Sequence, residues 1–454
     1  MENTEVTQLS RREFLECACP GGQKPNFVFV LMDDMGWRDL ACYGSTFYET
    51  PNIDRLASQG MKFTDAYAAC PVCSPTRASI ITGRYPARLH LTDYIPGLGP
   101  PNPKLLVPKF NQQLPLEEMN LAKALKSAGY TSANIGKWHL GGEPFWPDKQ
   151  GFDINIGGTD QGLPPTYFYP YGIPTIPTGR EGEYLSDRLN EEALSFIERS
   201  KDGPFLLYLA HYAVHIPLMA KKHMIARYEA KVKPGWEQND PTYAAMIESV
   251  DDGIGRIMAK LEELKIADRT TVIFTSDNGG WIPSTSNSPL RAGKGTLYEG
   301  GIRVPLIVRW PGAVRPGSVC DAPVTSADLY PTLLEMAGVE DAPGHVVDGE
   351  SFVRLLRQSG GLKRDAIYWH YPHYHLGGAT PGGAIRSGDY KLIEFFEDGR
   401  LELFNLREDL SEENDLAARM PEKAGELREM LADWRKAVDA SMPTPNPDYT
   451  PPKG

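Results

Sequence analysis

The sequence lacks long apolar runs and lacks an excess of basic charge. No segment of its 454 residues approaches the run of about 18 apolar residues that suggests a membrane-spanning helix. Lys and Arg number 47 against 59 Asp and Glu, which gives a net charge of −12. This balance excludes a general nucleic-acid partner and requires any anion-binding site to be locally cationic. The composition therefore predicts a globular protein without a membrane span.

An apolar segment is also missing where it would complete an export signal. Residues 10–15, SRREFL, resemble a twin-arginine export signal. The sequence ECACPGGQK follows them in place of an apolar h-region. Either the signal has been trimmed or the resemblance is residual. We predict that residues 1–24 are a tail left from an export signal and that the native protein is periplasmic or extracellular.

What is present is an alternation of apolar strands and amphipathic helices. Continuous apolar runs predict strands that are buried on both faces, at Asn26–Met32, 204–210, Thr270–Ser276 and 304–310. Helical periodicity predicts helices from Pro51 to Gln59 and at 116–128, 184–199, 242–264 and 327–337. This order predicts an α/β fold, with a mainly parallel sheet covered by helices on both faces.

Two finer expectations concern the ends and faces of these helices. Thr50 is expected to cap the helix that begins at Pro51, since threonine is a common N-cap residue. Asp251 is expected on the solvated face of the helix at 242–264, as a charged residue on an amphipathic helix usually is.

Polar residues follow the apolar strands directly, and ligands of such sheets bind beyond the carboxyl ends of the strands. These residues are Asp33 and Asp34, Lys137 and His139, His211 and His215, and Asp277 and Asn278. The carboxylates and the amide predict an oxygen cage for a hard divalent cation. The alternative for each group is an ordinary polar turn or surface side chain. His211 is expected to be structural.

Cys73 begins a segment, CSPTRASIITG, that predicts a helix with a reactive residue at its N-terminus. Pro75 suits the first helical turn, and Gly83 is a typical stop. Cys73 would then lie at the positive end of the helix dipole, where an oxyanion is favoured. Arg77, one turn further on, adds a fixed cation. The alternative is a buried structural cysteine, because free cysteines are mostly buried and inert.

Cys-x-Pro-x-Arg at 73–77, followed by ASIITGRYP, resembles the signature of type I, formylglycine-dependent sulfatases, and the chain looks arylsulfatase-like. Further matches follow in the family's order: DDMG at 33–36, GKWHLG at 136–141, His215, DNGG at 277–280 and Lys294. The resemblance runs from about residue 24 to about residue 417. It implies an alkaline-phosphatase-like fold and a sulfuric ester hydrolase.

The resemblance also implies the chemistry of the site. Cys73 is oxidised by a maturation enzyme to formylglycine, which works as its hydrate. One calcium ion, with magnesium as the alternative, is held by Asp33, Asp34, Cys73, Asp277 and Asn278. The remaining residues assigned to catalysis are Arg77, Lys137, His139, His215 and Lys294. With Cys73 modified, five of the six cysteines remain, so no complete disulfide framework is implied.

The pattern changes near residue 366, where short alternating runs separated by turn signals predict an antiparallel sheet. An amphipathic helix at 421–440 follows it. We predict a catalytic domain at 25–365, a small C-terminal subdomain of antiparallel sheet plus helix at 366–442, and an extended proline-rich tail at 443–454.

The expected substrate is a sulfated carbohydrate, with aryl sulfates as artificial substrates. Residues 368–375, YWHYPHYH, form an aromatic and histidine-rich segment that suits a sugar. Trp369, His373 and His375 are its candidate substrate-binding residues, and a packing loop between the two subdomains is the alternative. Two other functions remain open: a phosphatase or phosphonate monoester hydrolase on the same scaffold, and a non-catalytic protein that binds sulfated glycans.

Overall fold

A computed structural model describes residues 24–451, and the predicted export-signal segment lies outside the described residues. The strands are β1 Asn26–Met32, β2 Met61–Tyr67, β3 Leu105–Leu106, β4 Thr131–Gly136, β5 Ile154–Ile156, β6 Phe205–Ala210, β7 Thr270–Ser276, β8 Arg303–Arg309, β9 Ser318–Cys320, β10 Val324–Thr325, β11 Ala366–Tyr371, β12 Gly382–Ser387, β13 Tyr390–Phe395, β14 Leu401–Asn405 and β15 Thr444–Pro445. The α-helices are α1 Pro51–Gln59, α2 Cys73–Thr82, α3 Leu121–Lys126, α4 Leu185–Ser200, α5 Lys222–Glu229, α6 Pro241–Glu263, α7 Glu299–Ile302, α8 Leu329–Ala337, α9 Val353–Leu356 and α10 Pro421–Ala437.

The central sheet has the strand order β10-β2-β8-β7-β1-β6-β4-β5, and β9 pairs with β2. Its centre is parallel: β1 pairs with both β6 and β7, and β4 pairs with both β6 and β5. β8 is antiparallel to β7 and to β2. The predicted mainly parallel sheet is confirmed, and its parallel strands share one carboxyl edge.

Helices cover both faces of this sheet because its strands are apolar on both sides. Val28 and Val30 of β1 pack in one core layer with side chains of α1, α4, α5 and α6. Phe27 and Phe29, which point the other way, pack with side chains of α2, α3, α8 and α9. This alternation follows from the two-residue period of a strand. The predicted layering is confirmed.

The C-terminal residues form a separate antiparallel sheet in the order β11-β12-β13-β14, against which α10 packs. A buried ion cluster joins this sheet to the main body: Lys391 Nζ of β13 lies 2.8 Å from both Glu299 Oε1 and Glu412 Oε1. Within the described part of the proline-rich segment, β15 pairs with β3. The sheet and its helix agree with the predicted pattern, whereas the exact domain boundaries stay a prediction.

One predicted helix is shorter than expected, and three observed helices, the eight-residue α5 and the four-residue α7 and α9, were not predicted. The helix expected at 116–128 is α3, Leu121–Lys126, because Asn120 is extended and its side chain accepts the N–H of Lys123. That N-cap starts the helix five residues later than its apolar pattern suggests. α5 was missed because its sequence, KHMIARYE, carries charge around most of its circumference.

Thr50 is the N-cap residue of α1, as expected, but without a side-chain cap, and the expectation for Asp251 was wrong. The Thr50 side chain makes no capping hydrogen bond. Instead Asp251, which is buried, accepts the backbone N–H groups of Asn52 and Ile53. A carboxylate from α6 therefore caps α1, since the first N–H groups of a helix need an acceptor from outside it.

Within residues 24–451, no helix has the length and apolar character to cross a membrane. A cavity of about 990 Å³ opens where the central strands begin, beside Lys24, Lys201 and Arg269. It lies at the edge of the sheet opposite the polar residues described below, and it contains none of them.

Candidate active site

The carboxyl edge of the central sheet gathers the polar residues that follow its strands. β1, β4, β6 and β7 end at Met32, Gly136, Ala210 and Ser276. Backbone hydrogen bonds hold the following residues in place: Asp277 N–H donates to the Met32 carbonyl at 3.1 Å, and Lys137 N–H donates to the Ala210 carbonyl at 2.7 Å. The N-terminus of α2 brings Cys73 to the same edge.

Cys73 lies against His139, and both residues are buried. The Cys73 Sγ is 3.3 Å from His139 Nδ1, and His139 Nε2 is 2.6 Å from the carbonyl oxygen of Ile95. A carbonyl can only accept, so Nε2 carries the proton and Nδ1 presents a lone pair to residue 73. Burial, aided by the charge of Lys137, holds the pKa of His139 well below its usual value. The neutral ring is thus oriented to accept a proton from residue 73.

The backbone at His139 is not extended. His139 has a φ of +59°, in the left-handed region. Its ring lies against Gly162, where an added Cβ would lie 2.6 Å from the ring Cε1. Sequence reasoning missed both Ile95 and Gly162, because a backbone carbonyl and the absence of a side chain carry no chemical signature in a sequence.

Two buried cations hold two of the expected metal-binding carboxylates. Arg77 places Nε and Nη2 each 2.8 Å from Asp277 Oδ2. Lys137 Nζ lies 2.8 Å from Asp33 Oδ2. Burial alone would lower the pKa of Arg77, but Asp277 and Asp33 raise it above its usual value. Because every member of this group is buried, each charge depends on its partner for compensation.

A second cluster joins Asp34 to Lys294, His215 and Asn278. Asp34 Oδ1 lies 2.6 Å from Lys294 Nζ and 2.8 Å from Asn278 Nδ2. His215 places Nδ1 2.8 Å from the Ile216 carbonyl and Nε2 3.2 Å from Lys294 Nζ.

The same contacts fix the protonation of this cluster. Since a carbonyl only accepts, Nδ1 of His215 is the protonated nitrogen and Nε2 accepts from the Lys294 ammonium. Burial lowers the pKa of His215 to about 3, against the opposing charge of Asp34. Burial would raise the pKa of Asp34, but Lys294, His215 and Lys137 together hold it below its usual value.

The oxygen donors of this edge fit a hard divalent cation. Asp33, Asp34 and His215 can each direct one ligand atom to a common point, with these atoms within 4.8 Å of one another. Two buried oxygens, Asp33 Oδ1 and Asn278 Oδ1, have no hydrogen-bond partner among the described residues. Buried oxygens without partners are costly, and a cation would satisfy both. Oxygen-rich ligation favours calcium or magnesium over zinc.

The charges of the site are balanced before any ion is added. Arg77, Lys137 and Lys294 oppose the carboxylates of Asp33, Asp34 and Asp277. A divalent ion held by these carboxylates would therefore leave an excess of positive charge, which suits an anionic substrate despite the acidic composition of the whole chain.

The three expected substrate-binding residues have different surroundings. Trp369 is buried, donates Nε1–H to the Ala68 carbonyl at 2.8 Å and packs on Tyr67. His373 is buried too, with Nε2 2.8 Å from Thr92 Oγ1. For these two residues the packing alternative fits the contacts, because neither has a face open to a substrate.

His375 is half-buried and lies next to the site. Its Nδ1 accepts the Gly377 N–H at 2.9 Å, which leaves Nε2 as the protonated nitrogen of the neutral ring. Rings of Tyr94 and Trp281 pack edge-on against it. His211, by contrast, is fully buried, and neither ring nitrogen has a hydrogen-bond partner among the described residues.

The fold and the site define a hydrolase of the alkaline-phosphatase-like class, with Cys73, buried cations and a group of carboxylates that could hold a metal ion at one sheet edge. Two family models match the chain: Sulfatase over residues 25–339, and N-sulphoglucosamine sulphohydrolase, C-terminal, over residues 293–437. The chain belongs to the sulfatase family and is a sulfuric ester hydrolase.

Individual relatives agree with this assignment. A sulfatase of Formosa agariphila is 35% identical, covering 88% of this chain and 85% of that protein. The human N-acetylgalactosamine-6-sulfatase is 37% identical, covering 76% of this chain and 68% of that protein. The crystal structure of Ps i-CgsB in complex with k-i-k-neocarrahexaose is 31% identical with a TM-score of 0.77, covering 91% of this chain and 93% of that chain.

Proposed function

We propose that this protein removes sulfate from a sulfated carbohydrate, using the formylglycine hydrate made from Cys73 and one bound calcium ion, with magnesium as the alternative. The observation that carries the proposal is the 3.3 Å contact between Cys73 Sγ and the unprotonated Nδ1 of His139. It places a base beside the one residue that the family signature marks for modification.

The hydrated aldehyde would supply one hydroxyl to attack sulfur, with Asp277 accepting the proton of that hydroxyl, and a second hydroxyl whose deprotonation would re-form the aldehyde and expel sulfate. His139 accepts that second proton, because Nδ1 faces residue 73 while the Ile95 carbonyl holds Nε2–H. A serine or cysteine ester has no second hydroxyl and would need water to attack. General base assistance of this kind is typically worth about 10²–10⁴-fold.

Lys294 and His215 provide the proton for the oxygen of the leaving alcohol. His215 Nε2 accepts a hydrogen bond from the Lys294 ammonium, so the proton for the departing oxygen originates on Lys294. It reaches that oxygen either directly or through His215. Lys294 is held at this place by Asp34, which raises its pKa above the usual value although burial would lower it.

Arg77 and Lys137 hold the formylglycine and the sulfate in this proposal, and they also position carboxylates. Arg77 fixes Asp277 and Lys137 fixes Asp33, so two of the proposed calcium ligands cannot turn away from the site. A bound calcium ion would polarise the sulfate oxygens. Preorganised charge of this kind is usually the largest contribution to such catalysis.

A sulfated sugar is the substrate class that the relatives favour. One relative is named for an N-acetylgalactosamine 6-sulfate substrate, and Ps i-CgsB was crystallised with a neocarrahexaose. In this chain the protonated Nε2 of His375 offers a donor for a sugar hydroxyl. We further infer that a maturation enzyme modifies Cys73 and that the native protein is exported, on the strength of the SRREFL segment.

The test compares matched esters on protein produced together with a formylglycine-generating enzyme. Release of inorganic sulfate and of phosphate is measured from sulfate and phosphate esters of the same sugar and of 4-nitrophenol. We expect a higher kcat/KM for the sulfate ester of each pair. Preference for the phosphate ester would favour a phosphatase or phosphonate hydrolase. Calorimetric binding of the sugar sulfate without turnover would favour a glycan-binding protein.

A further inference from the structure

Several exposed apolar side chains lie close along the chain to residues of the site. Twelve large apolar residues are exposed within residues 24–451, and five of them lie within three residues of a site residue or of a direct neighbour of one. They are Leu98, Leu163, Ile216, Ile282 and Leu376, with exposed fractions of 62, 43, 42, 56 and 85%. Single exposed apolar residues are ordinary, but a group at one place marks a binding surface. We call these five residues the apolar collar.

The first three members of the collar are near residues that contact the catalytic histidines. Leu98 comes three residues after Ile95, whose carbonyl contacts His139. Leu163 follows Gly162, which lies against the His139 ring. Ile216 has its own carbonyl on Nδ1 of His215.

The other two members flank Lys294. A Cβ on Gly293 would lie 2.9 Å from Ile282 Cγ1, and a Cβ on Gly377, next to Leu376, would lie 2.3 Å from the Lys294 carbonyl. The half-buried rings of Tyr94 and Trp281 pack edge-on against His375. Trp281 precedes Ile282 and His375 precedes Leu376, so aromatic side chains adjoin both members along the chain.

The chain segments that contain the five collar residues have no cationic Lys or Arg side chain. Residues 94–100, 159–166, 212–219, 279–290 and 374–382 contain no Lys or Arg, and their one carboxylate is Asp160. The cations of the site, Arg77, Lys137 and Lys294, are buried and paired with carboxylates. A second sulfate or a uronate on the substrate would thus meet apolar surface without a counter-charge, on a protein of net charge −12.

We propose that the collar selects a sugar whose only charge near the site is the reactive sulfate, and that it contacts the uncharged C–H face of that sugar. This rests on the proposed function and narrows its substrate class. Densely sulfated or uronate-bearing chains are excluded, because their binding would need Arg or Lys where the collar has Leu and Ile.

The first test measures sulfate release by the matured protein from N-acetylgalactosamine 6-sulfate and from N-acetylgalactosamine 4,6-disulfate. We expect kcat/KM to be about tenfold or more higher for the monosulfate, because the second sulfate of the disulfate would bind without a counter-charge. Equal or higher kcat/KM for the disulfate would overturn the inference while leaving sulfatase activity established. Absence of sulfate release from both sugars and from 4-nitrophenyl sulfate would instead refute the proposed function.

The second test adds a cation to the collar. Leu376→Lys and Ile282→Lys are expected to raise kcat/KM for the disulfate about five- to tenfold relative to the monosulfate, since they supply the missing counter-charge. Val319→Lys is the matched control, because Val319 is 57% exposed on the short outer strand β9. An identical change in the disulfate-to-monosulfate ratio for Val319→Lys would show a general charge effect and contradict the role of the collar.

Discussion

At the residue scale, the proposed sulfate ester hydrolysis depends on which nitrogen of His139 faces residue 73. The Ile95 carbonyl, 2.6 Å from Nε2, accepts the Nε2–H and so leaves the unprotonated Nδ1 facing residue 73. That Cys73, the cations and the carboxylates meet at one sheet edge could be predicted from the sequence, because each has a chemically distinctive side chain next to a strand or helix end. The groups that orient them could not, since Ile95 acts through its backbone and Gly162 through lack of a side chain.

Cys73→Ala is expected to reduce sulfate release to background while leaving the fold intact. The change removes the proposed nucleophile together with the contact between Sγ and His139 Nδ1. The measurement is sulfate release together with a thermal melt. Cys73→Ser serves as a control that keeps one hydroxyl, and we expect it to accumulate a sulfated protein visible by mass spectrometry. Normal turnover by Cys73→Ala would refute the mechanism.

Calcium is expected to stabilise the protein as well as to support activity. At 100 times its dissociation constant, an ion that binds only the folded state adds about 2.7 kcal/mol to the free energy of unfolding. Exhaustive chelation should lower both the melting temperature and sulfate release, and calcium should restore them. Asp33→Asn is the matched variant. Because it removes one proposed ligand charge, its melting temperature should respond less to calcium and to chelation than that of the wild-type protein. Indifference of the wild-type protein to chelation would remove the metal assignment.

At the scale of elements, strands were easier to predict than helix ends. β1 and β7 have the bounds that their continuous apolar runs suggest. β2, MKFTDAY, was missed because polar residues interrupt its apolar pattern. The limits of α3 and the cap of α1 depend on Asn120 and Asp251, whose roles are set by packing between elements rather than by local periodicity.

The junction of β4 with the loop of Lys137 offers a test at this scale. Gly136 has a φ of +104°, and a Cβ there would lie 1.9 Å from the Ala210 carbonyl oxygen. Gly129 has a φ of +85° with nothing within 4 Å. Both substitutions to alanine incur about 1–2 kcal/mol of left-handed strain. We expect Gly136→Ala to lose about 1–3 kcal/mol more, the usual range of overpacking.

Chemical denaturation of the two glycine variants measures this difference, and sulfate release reports on Lys137. We expect turnover to fall in Gly136→Ala and to stay unchanged in Gly129→Ala. Equal stability of the two variants would show that β4 and β6 can separate at this point without cost.

At the scale of the whole molecule, two sheets are joined by buried charge. Lys391, Glu299 and Glu412 are fully buried and contact one another. The alternating strands predicted a second sheet, but not its attachment, because sequence does not show which distant charges meet. The segment of His375 follows β11 of this sheet, so in the proposed function the C-terminal sheet contributes to the substrate-binding surface.

Lys391→Met is expected to lower the free energy of unfolding by about 3–5 kcal/mol, since it leaves two buried carboxylates without their cation. Lys436→Met is the control, because Lys436 pairs with Asp433 in solvent, where ion pairs contribute little. Denaturant unfolding of both variants provides the measurement. A Lys391→Met protein as stable as the control would show that the cluster is not what holds the two sheets together.

The central claim is that residue 73, once oxidised, hydrolyses a sulfate ester. The most direct measurement follows sulfate release from 4-nitrophenyl sulfate by preparations with different degrees of modification, quantified by mass spectrometry of the tryptic peptide of residues 63–77. We expect the initial rate to rise in proportion to the aldehyde fraction and to vanish when residue 73 is entirely a thiol. Full activity in a preparation with an unmodified Cys73 would contradict the account.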